Sequence, residues 1–413
     1  MTISSKGKFT IEKYAQNSIS INECINNGLL MKKMLMIVPE YPFPCKCGMT
    51  VRIGDMCRNI NDIVEIHLFV CNPIKGSNPL DGKELFKSIS LAPVSVHGNC
   101  FYEILQKIFR KITRPLFDSS IYVGDDIIEF LSAMQRKNAY DIVMVHTPLL
   151  SRTLKAFPRN VFRIIDPHDI WYQRYYEFMK IKKGKLLTHF RNLGREMELY
   201  QNVDLVLAIS LWDRDFMVSH GINPIHVPVS FKTEPLPERN PPGANILYAS
   251  GSGYANVDAI HYFVNEIFPS VKKNIPEAKF IISNACDELK EEYSCRKDIM
   301  MLSYLNNVRE AYLLADIVVI PLRIGTGLKI KVLESMSFGK PTILSATAAR
   351  GIEIEDYLQE QLSDRSEIIA DEIIRVFKDE SYRRNLSSSG LLIIEKCYNP
   401  SKVYGDLRSI LQK

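Results

Sequence analysis

The stretch Val318-Val-Ile-Pro-Leu-Arg-Ile-Gly-Thr-Gly-Leu-Lys-Ile-Lys-Val-Leu-Glu-Ser-Met-Ser-Phe-Gly-Lys-Pro341 decides how this chain is read. An apolar run of strand character ends at Pro321, and a loop with Gly325 and Gly327 follows. A helical pattern then carries Lys331 and Glu334 until Gly339-Lys340-Pro341 stops it. Gly327, Lys331 and Glu334 are spaced i, i+4, i+7 and share one helical face, while Ile330, Leu333 and Ser337 share another. A ligand along the first face meets free N–H groups and the positive dipole end, then an ammonium, then a carboxylate. A sugar nucleotide has needs in that order: diphosphate, then ribose hydroxyls. An ordinary crossover helix with solvated Lys and Glu has the same spacing, so spacing alone leaves both readings open.

Outward from this motif, short apolar runs alternate with helical patterns. Before it lie strands at 245–249, 279–283, 299–302 and 317–320, with helices from Asn256 and over 308–314; a final strand follows at 341–345. The first half repeats the scheme, with strands after Met31 and at 65–70, 141–145, 161–165 and 204–209, and a helix over 125–134. Such alternation predicts parallel sheets with helices on both faces. Residues 233–243 interrupt it with four prolines in eleven residues and read as a linker. The expected organisation is α/β: two doubly wound, Rossmann-like domains, 31–232 and 244–392, facing across a cleft. Residues 1–30 read as a disordered extension, with Met31 a candidate natural start, and 393–413 as a C-terminal helix that could cross back to the first domain.

A chain of 413 residues with 46% hydrophobic and 24% charged residues has enough apolar material for two cores. No run approaches the roughly 18 apolar residues of a spanning helix. The nine cysteines are scattered without paired spacing, which suits free thiols in a reducing, cytoplasmic compartment. Residues 1–240 hold 31 Lys and Arg against 24 Asp and Glu, and the remainder 21 against 23, so the basic bias belongs to the first half. It is densest at Lys107–Arg114 and Lys180–Lys185, where apolar residues mix with cations as on surfaces that rest on anionic lipid. A solvated basic face with no partner is the alternative.

Taken together, residues 245–352 resemble the nucleotide-sugar domain of group 1, retaining GT-B glycosyltransferases, notably those of bacterial surface polysaccharide synthesis. The resemblance is carried by Ile246-Leu-Tyr-Ala-Ser-Gly-Ser-Gly-Tyr-Ala-Asn-Val-Asp-Ala-Ile260, Glu266-Ile-Phe-Pro269, Pro321 to Pro341 and Arg350-Gly-Ile-Glu353. Upstream, Pro42-Phe-Pro-Cys-Lys-Cys-Gly48 through Arg52 is similar to the family's first loop, and Asp166-Pro-His-Asp169 to its His-Asp strand end. The resemblance implies that Glu334 binds the ribose, that Lys331 neutralises the diphosphate and that the backbone at Gly327 and Leu328 touches phosphate. It further implies a catalytic position for His168 near the donor sugar, and a phosphate and acceptor loop at Gly48 and Arg52. Gly251 and Ser252 belong to the donor-side glycine turn. Thr326 stands where the family has the first Glu of its Glu-x7-Glu pair. A basic pair that some members carry after the first strand of this domain is missing, leaving Arg323 or Lys329 as the candidate replacement.

Other constellations have plainer readings. Gly251-Ser-Gly253-Tyr-Ala-Asn256 lacks the third glycine and the later acidic residue of a dinucleotide fingerprint, and Asn256 reads as a helix N-cap. Asp213-Arg-Asp215 follows Ser210, which with Asp213 makes a capping box rather than a metal site. Asp125-Asp126 opens a helix and suits its dipole. No nucleophile elbow is present. The implied activity is transfer from a nucleotide-sugar donor to a glycan or lipid-linked glycan acceptor. It needs neither metal nor cofactor nor nucleic acid, and it places the protein at the inner membrane face. A noncatalytic sugar-nucleotide binder and a GT-B sugar-nucleotide epimerase are the alternatives.

Overall fold

The computed structural model describes residues 31–45, 47–72, 81–92, 123–180, 192–238, 243–249, 253–302, 305 and 307–413. Gly251, Ser252, the extension 1–30 and most of both basic stretches lie outside these residues. Of the basic stretches only Lys180 is described, and its ammonium pairs with Glu177 at 2.7 Å.

The first domain is a seven-stranded sheet of β1 (Lys32–Val38), β2 (Val64–Val70), β3 (Ser88–Leu91), β4 (Ile142–His146), β5 (Phe162–Asp166), β6 (Leu205–Ala208) and β7 (Ile225–His226). Their order is β3-β2-β1-β4-β5-β6-β7, with every pairing parallel. Central strands such as β1 and β4 are buried on both faces, which explains continuous apolar runs in place of alternation. The helices that position the site from this side are α1 (Gly48–Ile60), α2 (Asp125–Asn138), α3 (Trp171–Lys180), α4 (Leu193–Gln201) and α5 (Leu211–Ser219). Asp125 and Asp126 occupy the first turn of α2. Ser210 caps α5, its Oγ accepting from the Asp213 N–H at 3.1 Å, so the Asp213-Arg-Asp215 acids belong to a helix start.

The second domain holds β8 (Asn245–Ala249), β9 (Lys279–Ser283), β10 (Ile299–Leu302), β11 (Ile317–Ile320) and β12 (Thr342–Leu344), ordered β10-β9-β8-β11-β12 and again all parallel. Its core includes Phe263, Phe268 and Phe280, all at 0% exposure. Two of its helices matter here: α6 (Tyr254–Tyr262) and α7 (Ile330–Ser337). In both sheets the strand order reverses once, between β1 and β4 and between β8 and β11. At such a point neighbouring crossovers leave to opposite faces and open a crevice.

The last helix, α8 (Pro400–Gln412), lies on the first domain. Val403, Tyr404, Leu407 and Leu411 join the core formed by β1, β2 and α1, and the Tyr404 hydroxyl donates to Asp55 of α1 at 2.7 Å.

Candidate active site in the interdomain cleft

A cleft with about 660 Å3 of open space runs along the carboxyl ends of the second sheet and is closed from the other side by Cys45, Cys47, Gly48 and Val51. At Gly48 the start of α1 comes close to the start of α7: a methyl on Gly48 would sit 3.4 Å from Ile330 Cδ1. Two helix N-termini thus converge on one space, each a partial positive charge.

The centre of the cleft lies at the β8/β11 reversal. Lys331 Nζ donates to Asn256 Oδ1 at 2.6 Å and to the Tyr248 hydroxyl at 3.1 Å, and lies 4.4 Å from the Tyr248 ring centroid. Desolvation pushes this ammonium down to about 7, with Glu334 pulling weakly the other way. One turn on, Glu334 Oε2 accepts from the buried Tyr312 hydroxyl at 2.9 Å. Burial raises the Glu334 carboxyl, while Tyr312 and Lys331 hold it down. A cation and a carboxylate therefore stand in line on the cleft wall, each oriented by a tyrosine. Thr326, Leu328 and Lys329 continue that wall.

Helix α7 begins at Ile330, with Lys329 as its N-cap. Gly325 at φ 149 and Gly327 at φ 61 cannot be helical, so Gly327 belongs to the preceding loop and not to the i, i+4, i+7 face expected from spacing. Its lack of a side chain has a packing reason as well. A Cβ on Gly327 would collide with the Asp169 carboxylate and press on the His168 carbonyl oxygen.

Across the domain boundary, the His168 backbone holds φ 66. Its Nε2 lies 3.1 Å from His146 Nδ1 and 3.5 Å from Asp166 Oδ2. Burial depresses the His168 imidazole to about 3, against the pull of Asp166, so it is neutral at pH 7. Asp166 is kept ionised, well below the usual carboxylate range, by Arg52 and the two histidines despite its burial. His146, Asp166 and His168 are spaced closely enough to hold a metal. However, Arg52 already grips Asp166 with Nε at 2.8 Å and Nη2 at 2.8 Å, and its charge repels a cation there.

Arg52 does not reach a phosphate loop. It is 0% exposed, with its guanidinium bound to Asp166 at the end of β5 and to the Val227 carbonyl. Arg323 is also turned away. It pairs with Asp258 at 2.7 Å and Glu266 at 3.6 Å over the Tyr262 ring, while Lys329 lines the cleft in its place. Lys329 is 6% exposed and lowered to about 8 by desolvation and by Arg350. Asn256 is not the N-cap of α6. Gly253 holds that position, and Asn256 accepts from Lys331 and from Tyr248.

The domains touch through Glu177 of α3. Its Oε2 accepts from the Gly325 N–H of the donor-side loop at 3.3 Å, and its Oε1 pairs with Arg350 at 3.3 Å. The start of α3 is in turn held by Glu196 of α4, whose carboxylate accepts from the N–H groups of Trp171 and Tyr172.

Two parallel sheets that meet across such a cleft define the GT-B class. Residues 243–379 match the family "Glycosyl transferases group 1", so the second domain belongs to the group 1 glycosyltransferases. Solved structures extend the likeness in fold to nearly the whole chain. Sucrose-phosphate synthase from Thermosynechococcus elongatus matches with a TM-score of 0.67 at 14% identity, covering 92% of this chain and 98% of that one. The S. aureus protein TarM, in a complex with Fondaparinux, alpha-GlcNAc-glycerol and UDP, matches at 0.65 and 12% identity, covering 93% and 100%. HepE from Anabaena, in complex with UDP and glucose, matches at 0.63 and 11% identity, covering 92% and 99%. No curated protein matches the chain by sequence.

Proposed function

We propose that this glycosyltransferase moves a sugar from a nucleoside diphosphate donor to a glycan or lipid-linked glycan of a surface polysaccharide, with retention and without a metal. The observation that carries the reading is the half-buried Lys331 and Glu334 on one face of α7, at the strand-order reversal of the group 1 domain. Glu334 binds the ribose. Lys331 and the α7 N-terminus face the diphosphate, where charge grows as the glycosidic bond breaks, and their fixed positions stabilise that charge without reorganisation. Neutral His168 stands on the acceptor-side domain near the donor sugar, and Thr326, Gly327 and Leu328 border the sugar and phosphates. Gly48 approaches the same phosphates from α1. The UDP held by HepE and TarM makes uridine diphosphate sugars the first donors to try.

The support for an anionic membrane surface is the basic, partly apolar sequence of the first half. No described helix is long and apolar enough to cross a membrane. Exchange of Lys182, Lys183 and Lys185 for Gln is expected to weaken partitioning onto anionic vesicles without lowering the melting temperature. Unchanged partitioning would remove the membrane from the proposal.

A thermal-shift screen of nucleotide sugars tests the donor site, since a ligand at 100 times its Kd stabilises by roughly 2.7 kcal/mol. The expected hit also shows slow release of nucleoside diphosphate without acceptor and rapid release with it. Binding with no release would favour a noncatalytic binder. Donor isomerisation without acceptor would favour an epimerase, and no hit at all would overturn the reading.

The lowered ammonium of Lys331 adds a pH dependence. In the empty cleft it is about half protonated near pH 7, and a bound diphosphate favours its charged form. Binding at pH 8 is therefore expected to take up a proton, and affinity to fall by up to about tenfold per pH unit above 7. Calorimetry in two buffers of different ionisation enthalpy measures the uptake; identical heats would contradict the assignment of Lys331 to the diphosphate.

A further inference from the structure

Strands β4 and β5 end side by side, and the last pair of their register is His146 with Asp166, both buried. His168 follows two residues later, its carbonyl oxygen close against Gly327. The three side chains meet at two ring nitrogens and one oxygen. His146 Nδ1 lies 3.1 Å from Asp166 Oδ2 and 3.1 Å from His168 Nε2, while His168 Nε2 and Asp166 Oδ2 are 3.5 Å apart. Asp166 is ionised, so it can only accept. A proton must therefore lie in this contact, and it has two possible homes, His146 Nδ1 and His168 Nε2.

Two observations place it on His146. Its Nδ1 is the nearer nitrogen to the carboxylate, and a bare lone pair there would face the Asp166 oxygen with no hydrogen between them. The other nitrogen of the same ring, Nε2, is buried and has no hydrogen-bond partner among the described residues. A hydrogen on Nε2 would be an orphaned buried N–H, rarer in folded proteins than an acceptor left short of a partner. His146 is thus protonated at Nδ1, and His168 Nε2 accepts from it. A neutral imidazole whose Nε2 accepts carries its hydrogen on Nδ1. We infer that His146 is a positioning residue that fixes His168 as the Nδ1–H tautomer, so that His168 offers a bound sugar a hydrogen-bond donor and no free base. Among the described residues nothing bonds to His168 Nδ1, which leaves that N–H for a ligand. The sugar as its recipient rests on the donor-site reading above; the tautomer does not.

The test is nitrogen-15 NMR of the full chain, empty and labelled at histidine, because protonated and bare imidazole nitrogens resonate far apart. The signals of His168 are those lost in His168→Gln. Wild type is expected to show His168 protonated at Nδ1 and bare at Nε2. His146→Phe keeps a ring in the same place and deletes its N–H, so His168 should move its hydrogen to Nε2, beside Asp166. His146→Asn carries an amide N–H where the imidazole Nδ1 stood and should restore the wild-type pattern. A merely structural His146 would leave the His168 pattern the same in all three proteins. Titration adds a second readout. His146→Phe should bind the nucleotide sugar selected by the thermal-shift screen about 2- to 10-fold more weakly, with its affinity for the corresponding nucleoside diphosphate unchanged. His168 protonated at Nε2 in wild type, or still at Nδ1 in folded His146→Phe, overturns the inference. A switched tautomer with unchanged affinity for the nucleotide sugar would uphold the histidine pairing and remove His168 from the donor sugar.

Discussion

Glu334→Gln is expected to weaken nucleoside diphosphate binding by roughly 10- to 150-fold, the loss of one charge-assisted hydrogen bond worth about 1.5–3 kcal/mol. The fold should survive, because Gln still accepts from the Tyr312 hydroxyl that now bonds Glu334 Oε2. What disappears is the negative charge that the proposed donor site sets opposite the ribose hydroxyls. A solvated helix glutamate would change binding and stability by well under 1 kcal/mol. Titration with uridine diphosphate, with thermal melting as the control for folding, separates the two. Wild-type affinity in the variant would remove Glu334 from the ribose and weaken the donor-site assignment as a whole.

Arg52→Met should act on stability first. It removes the partner of Asp166 in a place where both side chains are 0% exposed, and breaking a buried pair from one side costs about 3–5 kcal/mol. Arg52→Lys keeps the charge but not the fork that gives Asp166 bonds from both Nε and Nη2, so it should recover only part of the loss. Urea denaturation reads the effect directly. Were Arg52 a phosphate ligand, as its place after the Gly48 loop suggests in sequence, the substitution would instead reduce nucleotide affinity and leave the denaturation midpoint unchanged.

Arg52 also illustrates where sequence reading stops. The α/β class and the paired sheets were legible because runs such as 317–320 and 279–283 are almost wholly apolar, turn-bounded and repeated. Lys331 and Glu334 could be placed on one helical face by spacing, and Ser210 with Asp213 carries its own cap signature. Edge strands such as β3, half polar as Ser-Ile-Ser-Leu, and the two-residue β7 leave no apolar run to find. The start of α7 was misplaced because two glycines with positive φ look, in sequence, like any glycines at a helix start. Asn256, Tyr248 and Tyr312 were hidden for another reason. A polar side chain acquires its role from what lies across a crevice, and Tyr248 meets Lys331 only across a sequence separation of 83 residues. Arg323 and Lys329 were indistinguishable as candidates until the carboxylates of Asp258 and Glu266 turned one of them away.

The crossing of α8 has a bearing on synthesis. Ribosomes deliver the first domain early, yet part of its interior, Val403, Tyr404, Leu407 and Leu411, follows the second domain in the chain. Until then the apolar faces of α1 and β1 lack their cover, and Asp55 lacks the Tyr404 hydroxyl. The first domain is thus completed only after the second has been synthesised, and the apolar surface exposed until then is of the kind chaperones bind. The backbone carbonyl of Tyr398 accepts from the N–H of Phe231 at 2.8 Å, binding the incoming strap to the outgoing linker. The two chain crossings between the domains thus lie side by side, tied to each other by a main-chain hydrogen bond.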